Sequence, residues 1–254
     1  MEASRSVRGP SRWTLLLEGL NHLLWPAVCL SCGERRCESD RWLCRHCWDE
    51  LLMCTAGTSC PRCGRDVSLY ALVDGACGDC MGREVFLDGI GRCGAYERVL
   101  RDMILAFKNG RTELDIVLAH LANSAFQGSP FFGQVEALVP VPLHWTRRLV
   151  RGYNQAAVIA GRLRHPKAKV CKALVRTRRT AAQTAMGSSD ARRKNVSGAF
   201  AVRSHVDVTG KTVCLIDDIK TTGSTLNECA KALRQAGAGA VYALVLAVAG
   251  QSRQ

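Results

Sequence analysis

Apolar and polar positions along this chain fall into blocks whose spacing switches between helix and strand. Val99, Leu100, Met103, Ile104 and Phe107 recur at three- to four-residue intervals and predict a helix that stops at Lys108-Asn109-Gly110. Leu114, Val117, Leu118, Leu121 and Phe126 predict a second helix from Glu113 to Gln127. Val135 to Val141 reads as a strand that Pro140 and Pro142 bring to an end, since proline has no N–H for the ladder. A helix is predicted from Gln155 to Arg164, and a strand from Val170 to Val175. The apolar run Val213 to Ile216 is a buried strand, followed by a helix from Leu226 to Ala236, Gly237 as its stop and a last strand from Ala240 to Ala247. Phe86 to Gly94 reads as a glycine-spaced bridge. Strands alternating with helices predict an α/β domain with a mostly parallel sheet. A ligand then belongs at the carboxyl ends of the strands, where Pro142, Arg176 and Asp217 fall.

Upstream of Phe86 the pattern is different. Residues 13 to 25 read as a short amphipathic helix, interrupted by Glu18, Asn21 and His22 and ended by Pro26, behind a basic tail. Its apolar runs are too short for a membrane span or an export signal, which points to a cytoplasmic chain. Cysteines then dominate. Cys29-x2-Cys32 is followed by Cys44-x2-Cys47, and Cys60-x2-Cys63 by Cys77-x2-Cys80, two copies of one pattern. Each copy supplies four thiolates from two tight knuckles, as a structural zinc site requires, and leaves no open coordination position for catalysis. Gly33 and Gly64, directly after a knuckle, are expected to turn N–H groups toward sulfur. Cys37 is the one spare ligand, His46 a bystander, and Cys214 and Cys229 small buried apolar residues. The expected organisation is a tail and helix over 1–26, a double zinc ribbon over 27–84 and an α/β domain over 85–254.

Charge sharpens this picture. The net charge is +13, and from Val139 to Phe200 there are 14 Lys and Arg against one acid, Asp190. The remainder then holds 21 basic and 21 acidic residues, so the whole excess lies in one stretch. A bias this local implies a polyanionic ligand, either a pyrophosphate-bearing molecule or nucleic acid. Within it, Arg176 to Gly198 lacks an apolar period and is expected to be a functional lid.

The chemistry concentrates in VCLIDDIKTTGST, Val213 to Thr225. An apolar strand runs into Asp217 and Asp218, then into Thr221, Thr222, Gly223, Ser224 and Thr225 at a helix start. Backbone N–H groups and the positive end of a helix suit a phosphate there, and the carboxylates suit hydroxyls or a magnesium ion beside it. The string matches neither the P-loop nor the dinucleotide fingerprint. It resembles the phosphoribosyl-pyrophosphate (PRPP) motif of type I phosphoribosyltransferases. ILAFKNG, VPVPL with RRLVRGYNQA, RTRRTAAQT with RRKNVSGAF and the paired knuckles occur with it in one order. That set resembles the ComF family from about Cys29 to the C-terminus.

The resemblance implies a double zinc ribbon followed by a type I phosphoribosyltransferase fold, with two structural Zn²⁺ and with Mg²⁺ accompanying PRPP. It implies that Thr221 to Thr225 hold the 5′-phosphate and that Asp217 and Asp218 hold the ribose hydroxyls, directly or through magnesium. Arg147, Arg148 and Arg151 are then placed for the pyrophosphate, joined by Lys108, with Arg176 at the site. Asp217, Asp218, Arg147 and Arg151 are the expected catalytic groups. No His or Glu is needed as a base, and His144 is expected to be structural. Family relatives are associated with DNA uptake and competence, so single-stranded DNA and competence-machinery proteins are further expected partners. The alternative is a non-catalytic single-stranded DNA-binding module with a sensory or vestigial PRPP site, against which stand few stacking aromatics, Trp145 and Tyr153 inside the basic stretch. Lys220 departs from the usual motif and would add charge beside the phosphate.

Overall fold

The computed structural model describes residues 28–34, 42–80, 85–143, 149, 151–178 and 194–250. The chain divides into two compact units, Met1–Asp49 and Glu50–Gln254. The predicted N-terminal helix, Cys37, His144, Arg147, Arg148 and most of the expected lid lie outside the described residues.

In the larger unit a five-stranded sheet runs in the order β3 (Gly89–Ala95), β9 (Ala240–Val248), β8 (Thr212–Lys220), β4 (Ala137–Pro140), β5 (Lys169–Val170). Every pairing is parallel. β8 is central, with Val213, Cys214, Leu215 and Ile216 all at most 1% exposed. It is covered on both faces, so it reads as one apolar run and not as an alternation.

Helix α1 (Arg45–Thr55) contains the boundary between the two units. Helix α2 (Arg98–Lys108) buries Val99, Leu100, Met103, Ile104 and Phe107, the stripe the sequence predicts, and ends at Lys108. Helix α3 (Asp115–Gln127) follows a short 3-10 turn, and α4 (Gln155–Arg162) is capped by Asn154, whose side-chain oxygen accepts from the Ala156 N–H at 3.1 Å. Helix α5 (Ser224–Gln235) packs Leu226, Cys229 and Leu233 into the core shared by Val213, Leu215 and Val241.

Three local expectations change. Phe86 to Gly94 is not merely a bridge: it contains most of the edge strand β3. Its glycines mark close approaches. A Cβ at Gly94 would lie 2.5 Å from the Cys54 carbonyl oxygen, and one at Gly91 would lie 3.3 Å from the Phe131 ring. The strand expected over Val170 to Val175 breaks in two. After β5 the chain leaves the main sheet and forms β6 (Leu174–Arg176), antiparallel to β7 (Phe200–Val202). The strand ending at Ile216 in the sequence reading continues to Lys220, because its pairing with β9 persists to Lys220 opposite Val248.

The second cysteine ribbon is built onto this sheet. Its short hairpin pairs β1 (Leu72–Val73) with β2 (Ala76–Cys77). The Pro61 carbonyl accepts from Ile90 N–H at 2.8 Å, and Arg92 of β3 pairs with Asp66. A Cβ at Gly64 would lie 3.1 Å from a Val248 methyl, so the knuckle is seated on the carboxyl end of β9.

Candidate functional site

Extension of β8 puts Asp217 and Asp218 on the strand and not beyond it. Asp218 N–H donates to the Asp217 carboxylate at 2.9 Å. Asp218 Oδ1 receives Lys108 Nζ at 3.0 Å, and both side chains are mostly buried. The end of α2 is therefore tied to the tip of β8. Burial first, and the Asp218 charge second, push Asp217 up to about 7 from an ordinary 3.8, while the Asp218 N–H, Lys108 and Arg176 pull the other way. A cation beside these two carboxylates would relieve that repulsion.

Beyond Lys220 the chain turns through Thr221, Thr222 and Gly223, and α5 opens at Ser224, two residues earlier than the sequence suggests. Gly223 takes φ +82°, the left-handed conformation that only glycine adopts without cost. Thr222 and Ser224 hydroxyls meet at 2.9 Å. Ser224 and Thr225 thus open the first turn of α5, and the Ser224 N–H donates to the Thr222 hydroxyl at 3.4 Å.

Arg176 ends β6 opposite Phe200, with its guanidinium carbon 5.2 Å from the ring centre. Arg178 donates to the Ser197 carbonyl at 2.7 Å, and Gly198 N–H donates to Glu228 of α5 at 3.0 Å. Both ends of the expected lid are thereby anchored beside the site, although 179–193 lie outside the described residues. Arg151 donates to Gln155 at 3.4 Å. Its neighbour Tyr153 donates to the Phe107 carbonyl and packs on the Phe107 ring at 5.4 Å, one residue from Lys108. Asn154 donates to the Val141 carbonyl at 3.0 Å. The loop after β4 is thus pinned to both the strand end and α2, roles of Tyr153 and Asn154 that a hydropathy pattern does not reveal.

Lys220 is 7% exposed. Burial depresses its pKa most, with Cys63, Arg65, Cys80 and Cys60 near enough to act on its charge. It faces the second ribbon, a placement the sequence reading did not foresee.

The cysteines form two tetrads, Cys29, Cys32, Cys44, Cys47 and Cys60, Cys63, Cys77, Cys80, with sulfurs in each within 4.8 Å of one another. A tetrahedral zinc with bonds of about 2.3 Å sets neighbouring sulfurs about 3.8 Å apart. Cys32–Cys44 is 3.8 Å, Cys60–Cys80 3.9 Å, Cys63–Cys77 3.6 Å and Cys77–Cys80 3.7 Å. The residues fit the ion. His46 stands outside both sets. Gly33 and Gly64 do turn through positive φ, but their N–H groups close onto the Cys29 and Cys60 carbonyls. The Ser31 N–H approaches the Cys29 sulfur at 3.4 Å, and the Cys47 N–H approaches the Cys44 sulfur at 3.5 Å. Burial raises the Cys29 thiol, but N–H groups of Cys44, Cys32 and Ser31 outweigh it and bring the value down to about 6.

A parallel α/β sheet with an acidic pair at its carboxyl edge and a glycine turn opening the next helix is the arrangement of a phosphoribosyltransferase-type fold, here joined to a double zinc ribbon. The family model described as "Double zinc ribbon domain" matches residues 20–81. Competence protein F of Haemophilus influenzae is 31% identical over 216 residues, covering 82% of this chain and 91% of that protein. The chain belongs to the ComF family. DNA utilization protein YhgH of Escherichia coli K12 is 29% identical over 79% of this chain and 92% of its own length. Competence protein ComFC of Bacillus subtilis is 25% identical over 84% and 91%. A partial likeness to the allosteric regulatory enzyme of purine biosynthesis covers 52% of this chain and 26% of that one, at 21% identity and a TM-score of 0.33. Among the described residues no helix is long and apolar enough to cross a membrane.

Proposed function

We propose that this protein binds PRPP together with Mg²⁺ and transfers its phosphoribosyl group to a nitrogen acceptor. The observation that carries the reading is the convergence of Asp217, Asp218, Lys108 and Arg176 at the carboxyl edge of β8, beside the opening turn of α5. The turn amides and hydroxyls from Thr221 to Thr225 take the 5′-phosphate. Asp217 and Asp218 accept from the ribose hydroxyls or hold the ion that neutralises the pyrophosphate. Arg151 is assigned to the leaving group, with Arg147 and Arg148 assigned to join it, and Arg176 is assigned to the sugar.

In the reaction the bond from the anomeric carbon to pyrophosphate breaks and the acceptor nitrogen's lone pair forms the new bond. Both electrons of the broken bond leave with pyrophosphate. Positive charge grows on the ribose ring near the two carboxylates, and negative charge grows on the leaving group near the arginines. When bound, magnesium supplies charge neutralisation to the pyrophosphate. An acceptor nitrogen that is already nucleophilic needs no protein base. The cytoplasm, where PRPP is available, is the proposed location.

The test is calorimetry with PRPP and Mg²⁺. Asp217→Asn combined with Asp218→Asn is expected to abolish binding while both zinc ions stay bound, and undiminished affinity sinks the assignment. A pyrophosphate-release screen over nucleobases, nicotinate-like bases and single-stranded DNA then identifies the acceptor. A second reading, single-stranded DNA binding with PRPP as a sensed ligand, is favoured by the 14-to-1 basic bias of Val139 to Phe200 and by the relatives named for DNA utilization and competence. DNA affinity that falls steeply with salt, without pyrophosphate release, selects it.

A further inference from the structure

Gln155 and Lys220 are the two buried polar or charged residues among those described, at 1% and 7% exposure. Gln155 is accounted for in part by Arg151. Lys220 is not used by the site. An ammonium in the interior is costly unless opposite charge lies close. Its position supplies that charge. Lys220 is the last residue of β8 and is registered opposite Val248, one strand across. Val248 in turn carries the Gly64 knuckle of the second ribbon, and Cys60, Cys63 and Cys80 are among the ionisable groups around the ammonium. Arg65 is a like charge nearby, but it is committed to Asp79. Four thiolates on one divalent zinc carry a net charge of −2, which complements a buried cation.

The other end of the contact is the phosphate turn. A Cβ at Gly223 would lie 3.0 Å from Lys220 Cε and 3.8 Å from Nζ. The lysine stem therefore lies against the left-handed residue from which α5 starts, while its strand neighbour Val248 carries the Gly64 knuckle of the ribbon.

We propose that Lys220 is a positioning residue that couples the second zinc centre to the phosphate turn, so that metal at Cys60, Cys63, Cys77 and Cys80 holds residues 221–225 in their anion-binding shape. This deepens the PRPP reading and rests on it for the identity of the anion, but the coupling itself is a property of the ligand-free chain. It also gives the second ribbon a role beyond folding its own segment.

The experiment uses the full-length zinc-loaded chain, with Lys220→Met keeping the stem and removing the charge. Two readouts need no ligand: zinc transfer to a chromogenic chelator, and hydrogen exchange of the amides of 221–226. Both are expected to quicken by about tenfold in Lys220→Met, in line with loss of a charge-assisted contact, with exchange in β3 unchanged. Cys63→Ser, which opens the second centre alone, is expected to loosen the same amides, and Lys220→Met added to Cys63→Ser is expected to add little. If zinc transfer and amide exchange in Lys220→Met match the wild type, or the two variants act additively on 221–226, the coupling is overturned. PRPP calorimetry runs alongside. A wild type that ignores PRPP while Lys220→Met still moves both readouts refutes the proposed ligand and leaves the coupling standing.

Discussion

Asp217→Asn should make the ligand-free protein more stable, although it removes a residue at the centre of the site. Burial and the neighbouring Asp218 charge raise the Asp217 carboxyl from an ordinary 3.8 to about 7. A carboxyl raised on folding binds its proton more tightly in the folded chain. Its stabilising contribution is therefore complete below pH 3.8 and lost as pH rises through about 7. Above that point the ionised carboxylate costs up to about 4 kcal/mol, from a displacement of about 3 pH units. The residue is only partly buried, so a gain of about 2–3 kcal/mol in the variant is the realistic expectation at pH near 8.5. Asparagine keeps the oxygen that accepts from the Asp218 N–H, so the local geometry survives. At pH near 5.5 the gain should shrink to roughly half. Urea unfolding at the two pH values measures it. A variant less stable than wild type at the higher pH, or a gain that does not change with pH, refutes the claim that desolvation and repulsion dominate this carboxylate. The same substitution should weaken PRPP binding, so stability and affinity move in opposite directions.

Two further substitutions test the frame that holds the site. Gly94→Ala pushes a Cβ to 2.5 Å from the Cys54 carbonyl and 3.0 Å from Leu100 and should cost about 1–3 kcal/mol by denaturant unfolding, whereas Gly133→Ala, with nothing within 4 Å, should stay within about 0.5 kcal/mol. Asn154→Ala removes the α4 cap and the anchor to Val141, and should cost about 1 kcal/mol with faster amide exchange at the start of α4.

The elements that the sequence made legible are those whose pattern has one physical reading. The apolar stripe from Val99 to Phe107 can only be a one-sided helix, and β8 and β9 are apolar runs too short for anything but buried strands. The cysteine knuckles are legible because zinc fixes both ligand number and spacing. β3 was harder to see, because its signal is carried by Gly89, Gly91 and Gly94, residues that read as loop. They are there because Pro61, Phe131 and Cys54 come within contact distance of the strand, a fact of tertiary packing. The break after Val170 was hidden for a similar reason: Cys171 to Ala173 look like continuous strand, and only the switch from β4 to β7 as partner divides them. At the site, Asp217, Asp218 and the turn were evident from chemistry. That Asp218 is held by Lys108, about a hundred residues away, was not, since an ion pair across a sheet edge leaves no local trace.

The cost concentrated at the end of β8 explains why it is the central strand. Asp217, Asp218 and Lys220 place three charged groups within four residues, and burial disfavours the charge on Asp217 and on Lys220. A peripheral strand would fray at such an end. β8 cannot, because its pairing with β9 runs to Lys220 and the Ala249 N–H still donates to the Lys220 carbonyl at 2.8 Å. Upstream, Val213 to Ile216 remove their side chains from water, at about 1.5–3 kcal/mol for each large apolar residue, which offsets the electrostatic penalty downstream. The charges are thus fixed in place before any ligand arrives. A phosphate at the turn and a cation between the carboxylates would each remove part of the remaining repulsion. The acidic pair that carries this repulsion in the free fold is where a bound cation gains most, and this is why Asp217→Asn should raise stability and lower affinity together.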